Sequence, residues 1–235
     1  MVSLRTQVIA RVALIATGLL AGACAMPQPV NPTAGGDRPR NQVDNPIDKE
    51  VYLDLIRSML DQRQYYAALA HVQEQRRLGG GAAQLDYLEA EAQRQLGQTA
   101  EADRLYRGLL RGELSGEAYH GLGLLYARTQ PKQALVYLKE AARRRPTDAE
   151  IRNDYGYALL RVSQYDAALP ELATAIELAP EFETARNNLV LLMILRRDEA
   201  SVSKIVTESG IPPATVERLR RQAAGLQARA AQSRR

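Results

Sequence analysis

AEIRNDYGYALLRVSQYDAALPELATAIELAPEF, residues 149–182, reads as two helices joined by a short turn. Tyr155, Leu159, Tyr165, Leu172, Ile176 and Leu178 recur at helical spacing and supply one apolar face. Gly156 in the first helix and Ala168 in the second are small where the two helices should touch. A side chain larger than methyl at such a contact forces the backbones apart. Ala175 is a third small position, and Pro180 ends the second helix because it has no N–H to continue the ladder. Pro170 is the one residue at odds with the pattern, and it is expected to stay in the first turn or to bend the helix.

Working outward, the same unit recurs. The preceding copy carries Gly123, Tyr126, Ala134, Leu138, Ala141 and Pro146, with one residue lost from its turn, where Pro131 suits the opening of a helix. Ala90, Gly97, Ala102 and Tyr106 mark a second unit, and Leu55, Tyr65, Ala68 and Val72 mark a first. Leu189 to Glu208 makes a shortened fifth unit containing Ala200. The alanines at 68, 102, 134, 168 and 200 are spaced by 34, 32, 34 and 32 residues. A period near 34 with this chemistry resembles the tetratricopeptide repeat. The expectation is an all-α solenoid over residues 49–210, four to five helix-turn-helix units stacked because none can bury its apolar face alone.

Such a solenoid presents an inner groove. Helix positions expected to face it are His120, Arg128, Asn153, Tyr157, Arg161, Asn187 and Asn188. Asn pairs with both N–H and C=O of a bound backbone, while Tyr and Arg supply anchoring area. The alternative is that these are solvated polar side chains on an exposed helix face. Tetratricopeptide domains that grip a terminal carboxylate use a Lys/Arg and Asn clamp, but Asn153 and Asn187 stand where a cation would be needed, so that activity is not carried over. Residues 211–235 open with Pro212-Pro213 and then place Val216, Leu219, Ala223, Leu226 and Ala230 on one stripe. This reads as a helix capping the last unit, or, alternatively, as a basic docking surface for a partner or for anionic lipid.

The N-terminus carries an address. Arg5 and Arg11 precede an uncharged, mostly apolar run from Val12 to Ala23, which suits a signal peptide (residues 1–23) and is too short to span a bilayer. The run ends Leu20-Ala21-Gly22-Ala23-Cys24, and Cys24 is the single cysteine in the chain. Small residues before a lone cysteine resemble the lipobox of bacterial lipoproteins, although Ala21 replaces the usual Leu. The resemblance implies lipid attachment at Cys24 and, with Ala25 rather than Asp next, an outer-membrane, periplasm-facing location. An ordinary secretory signal also satisfies the small-residue rule here. Residues 24–48, with five prolines among polar residues, read as a flexible leash.

Charge excludes one class of partner. The chain has 31 basic and 27 acidic residues. Residues 216–235 hold six arginines against Glu217 alone, and residues 24–215 hold 23 basic against 26 acidic side chains, so the basic balance belongs to the tail. A body of this charge is a poor nucleic-acid binder. Nor does chemistry suggest itself. His71 and His120 fall in different units without ligand-spaced partners, and Gly79-Gly80-Gly81 lacks the Lys-Ser/Thr of a phosphate cradle. The chain reads as a non-enzymatic binding protein with no cofactor beyond a lipid on Cys24, and homo-oligomers of it stay open.

The signal with its lipobox, the proline-rich leash, the stretch Ile151-Arg152-Asn153-Asp154-Tyr155-Gly156-Tyr157-Ala158-Leu159-Leu160, the later Ala185-Arg186-Asn187-Asn188-Leu189 and the short basic tail together resemble the TadD family. These are tetratricopeptide lipoproteins of the tight-adherence (Flp, type IVb) pilus system. The resemblance implies a pilotin that binds the pilus secretin and helps it reach or assemble in the outer membrane. A lipoprotein scaffold for type IVa pili or other envelope machinery would share the same parts.

Overall fold

The computed structural model describes residues 46–79 and 83–232. Among them are eleven helices and no strand: α1 (Pro46–Asp61), α2 (Tyr65–Arg77), α3 (Ala83–Gln95), α4 (Thr99–Leu109), α5 (Ser115–Tyr126), α6 (Pro131–Arg144), α7 (Ala149–Arg161), α8 (Tyr165–Leu178), α9 (Glu183–Arg196), α10 (Glu199–Glu208) and α11 (Pro213–Gln232). The first ten pair as five helical hairpins and the eleventh follows alone, the expected all-α solenoid. The expected signal, Cys24 and most of the leash lie outside the described residues. So do Gly80 and Gly81 of the glycine loop. α1 starts at Pro46, inside the stretch read as leash to residue 48. Proline suits the first position of a helix as well as a linker, and composition cannot separate the two.

The alanine register has a plain structural meaning. Ala68, Ala102, Ala134 and Ala168 are each the fourth residue of α2, α4, α6 and α8, and none is more than 1% exposed. The fifth expected position fails. Ala200 is exposed, and the fourth residue of α10 is Val202, 3% exposed and 34 residues after Ala168. The backbone kept its period while the residue type changed, and Ala200 lies two residues before the equivalent position.

Glycine marks the matching contact on the first helix of two of the pairs, α5 and α7. A Cβ on Gly156 would meet the Leu172 side chain at 2.8 Å, and one on Gly123 would meet Leu138 at 2.5 Å. Turns between paired helices repeat as well. Arg63, Gly97, Ser163 and Arg197, each two residues before the second helix, have φ between 60° and 75°. Only Gly97 has the residue type that takes this left-handed conformation without a Cβ penalty. Between units, Arg152 and Arg186 donate to the carbonyls of Pro146 and Pro180, six residues back in each case. Pro170 is the sixth residue of α8, beyond the first turn, which leaves the carbonyl of Asp166 without its helical donor. Leu178, expected on the apolar face, is 41% exposed.

The odd-numbered helices contact one another in series, α1 with α3, α3 with α5 and α7 with α9, while no comparable contact joins even-numbered neighbours. The odd helices therefore form the inner, closer-packed side. α11 packs against α9, burying Leu219 and Ala223 with Val216 and Leu226 partly covered, as its stripe predicted. Among the described residues no helix is long and apolar enough to cross a membrane.

Candidate functional site: the inner face and its basic cleft

The seven expected groove residues divide into two sets. His120, Asn153, Asn187 and Asn188 lie toward the interior of the inner face. His120 Nε2 of α5 donates to Asp154 Oδ2 of α7 at 2.7 Å, and Asn153 Nδ2 donates to the other oxygen of Asp154 at 3.0 Å. Asn188 Nδ2 of α9 donates to Asn153 Oδ1 at 2.8 Å. Asn153 and Asn188 are 2% and 9% exposed. This is a buried polar ladder linking three inner helices, and its amides are engaged with each other rather than presented to a partner. The expectation that Asn153 and Asn188 offer their amides to a bound backbone is corrected on this point: unpaired, they would each carry a desolvation penalty. Asn187, about a hundred degrees round the helix from Asn188, is partly exposed. Its Nδ2 reaches Glu183 of its own helix at 3.4 Å, while its Oδ1 is buried without a partner.

The ladder is anchored by charge. Burial alone would lower the pKa of His120, but the hydrogen bond and the negative charge of Asp154, with Glu150 and Glu91 farther off, raise it above the usual histidine value. Burial pushes the Glu150 carboxyl up, opposed by the positive charge of His120.

Arg128, Tyr157 and Arg161 lie at the other end of the same faces, at the carboxyl ends of α5 and α7. Arg161 donates to the carbonyl of Ala127, satisfying one of the orphan acceptors that end α5. Tyr157 accepts from Gln222 of α11 at 3.1 Å. Together with the second half of α11 these residues bound a cleft of about 710 Å³. A second cavity of about 340 Å³ adjoins it through Arg161, Leu226 and Arg229 and adds Lys132. A small apolar slot beneath, lined by Leu124, Leu138 and Ala158 among others, reaches Asp154. The cleft thus unites three residues expected from helix spacing with Lys132, Arg221, Gln222 and Arg229, which spacing did not single out. The signal for Arg221 and Arg229 was the arginine excess of residues 216–235; nothing in the sequence marked Lys132 or Gln222.

Among the described residues no group of three or more His, Cys, Asp or Glu could hold a metal ion. What the inner face offers is concavity, guanidinium groups, one tyrosine and apolar floor, the materials of a peptide site.

No protein-family model matches the chain. The TPR repeat-containing protein PA4299 of Pseudomonas aeruginosa is 31% identical over 196 residues, which span 82% of this chain and 75% of that protein. Solved structures of the same fold include TTC0263 of Thermus thermophilus, with a TM-score of 0.56 at 21% identity over 77% of this chain and 99% of that one. MamA (41-end) of Desulfovibrio magneticus RS-1 gives 0.55 at 20% identity over 74% and 95%. YrrB, described as a TPR protein with an unusual peptide-binding site, gives 0.50 at 21% identity over 77% and 90%. Buried helix-four alanines, paired helices on a 34-residue period and a relative of this identity and coverage agree, and the chain belongs to the family of TPR (tetratricopeptide) repeat-containing proteins.

Proposed function

We propose that this tetratricopeptide scaffold for protein–protein interaction works as a lipid-anchored pilotin, holding the secretin of a tight-adherence pilus at the outer membrane. The observation that carries the reading is the coupling, in one chain, of a lone Cys24 behind small residues to a repeat array with an open inner cleft. Lipid on Cys24 fixes the address, because several acyl chains anchor stably where one does not. The proline-rich segment gives reach. The cleft captures a segment of the partner, in the manner that the name of YrrB records for that protein.

The test is an unboiled immunoblot for detergent-resistant secretin multimers in outer-membrane fractions. Cells lacking the protein should lose the multimers and regain them with the wild type. A Cys24→Ala variant should leave the secretin mislocalised. Multimers that persist unchanged in the deletion would sink the pilotin reading and direct the search to other envelope machinery.

A further inference from the structure

The cleft between the ends of α5 and α7 and the second half of α11 is basic throughout. Arg128, Arg161, Arg221 and Arg229 line the larger cavity and Lys132 the adjoining one, and no aspartate or glutamate lines either. Arg161 uses one N–H on the Ala127 carbonyl. Arg221 has only Glu217 of its own helix, 3.8 Å away with both side chains largely exposed, a pair of little strength. Arg128 and Arg229 make no hydrogen bond or ion pair among the described residues. The carboxylate in the slot beneath, Asp154, is already held by His120 and Asn153.

Many arginines elsewhere on this surface are matched, although Arg63, Arg111, Arg197 and Arg218 have no ion pair among the described residues. Arg77 pairs with Glu74, Arg104 with Glu101, Arg143 with Glu140 and Arg220 with Glu199. Five cations lining two adjoining cavities without a carboxylate repel one another, and an anion that enters relieves the arrangement. The carbonyl ends of α5 and α7 draw cations to this place, but two half-charges do not balance five.

We propose that this cleft binds an extended acidic peptide segment of the partner protein. Carboxylates spaced along the segment pair with Arg128, Arg161 and Arg229, for which the guanidinium fork is suited. An apolar residue between them rests on Leu226 and the Tyr157 ring. The proposal deepens the scaffold reading above and rests on it. A bilayer does not fit as occupant: the apolar stripe of α11 that would have to enter lipid is packed against α9, with Leu219 at 1% and Ala223 at 2% exposure.

The test uses residues 24–235 carrying Cys24→Ser, which contain the whole compact unit from Val43 to Arg235. The probe is a fluorescein-labelled peptide of three Glu-Glu-Leu-Gly repeats, with a Gln-Gln-Leu-Gly version as control, read by fluorescence anisotropy. Binding of the acidic peptide should be at least about tenfold tighter than that of the control and should weaken as salt rises. R128E/R229E should lose at least about tenfold, whereas R111E, which reverses one exposed charge outside the cleft, should retain affinity. Circular dichroism melts check that each variant folds. Equal binding of both peptides, or unchanged binding by R128E/R229E, overturns the proposal. So does binding to phosphatidylglycerol vesicles that R128E/R229E abolishes while the acidic peptide stays unbound, since the cleft would then serve lipid. Because the probe is not the secretin, failure here leaves the pilotin reading standing, and failure of the secretin blot leaves this result untouched.

Discussion

The two ends of one helix face behave oppositely in this protein. Asn153, Tyr157 and Arg161 stand above one another on α7, four residues apart. At the amino end Asn153 is shut beneath α9 and bonded to Asn188 and Asp154. At the carboxyl end Arg161 borders an open cleft crowded with unmatched cations. Residues of similar polarity, in one stripe, therefore serve cohesion at one end and recognition at the other. What separates them is how closely the next inner helix approaches.

Breaking the closed end should have the largest effect. Asn153→Leu removes the acceptor of the buried Asn188 amide and a donor to the partly buried Asp154, leaving both groups short of a partner. The expected loss is about 2 kcal/mol of unfolding free energy, measured by urea denaturation followed by circular dichroism. A loss below about 0.5 kcal/mol would mean the ladder is solvated and the two ends do not differ. The double variant N153L/N188L sharpens the point. With both amides gone neither is orphaned, so the double change should cost less than the single one, a coupling that the denaturation cycle reads directly.

Much of this architecture is legible in sequence, and the boundary of legibility is physical. The period of 34, the small residues at 156 and 168 and the apolar stripe of α11 all reflect contacts between helices adjacent in the chain, where spacing fixes geometry. Val202 escaped because a β-branched side chain stands at the position that alanine fills in four other helices. Pro170, flagged in the sequence, stands beyond the first turn because the loss of one hydrogen bond is tolerated when the rest of a helix is packed. The inner face was harder. Spacing tells which way a residue points but not how near the helix one unit along comes, and that distance decides whether Asn188 or Asn187 is covered. The cleft depends on α11 folding back over residues 65 positions earlier, as in the Gln222–Tyr157 bond. No local period records such a contact.

A smaller effect separates the ends by pH. The folded-state pKa of His120 lies above its unfolded value of 6.5, through burial opposed and outweighed by Asp154. Its stabilising contribution is complete below about pH 6.5 and fades as pH rises through the raised folded value. The urea midpoint of the wild type should therefore decline over that interval more steeply than that of His120→Gln, where a neutral amide replaces the imidazole. His71 is common to both proteins, so the difference between the two curves isolates the ladder. Parallel curves would remove the charge from the account of the closed end.

The smallest effect on stability belongs to the open end. Arg128 is exposed, bonds to nothing among the described residues and shares its cleft with four other cations. Arg128→Ala leaves no buried group orphaned and relieves some repulsion. Its stability should stay within about 0.5 kcal/mol of the wild type, with a slight gain at low salt that vanishes as the charges are screened. Affinity for the acidic peptide should fall all the same. That pairing of unchanged stability with weakened binding is the signature of a side chain kept for a partner and not for the fold. Were Arg128→Ala to cost more than about 1 kcal/mol, the cleft would be holding the array together as the ladder does, and the division of the inner face into a closed and an open end would have to be given up.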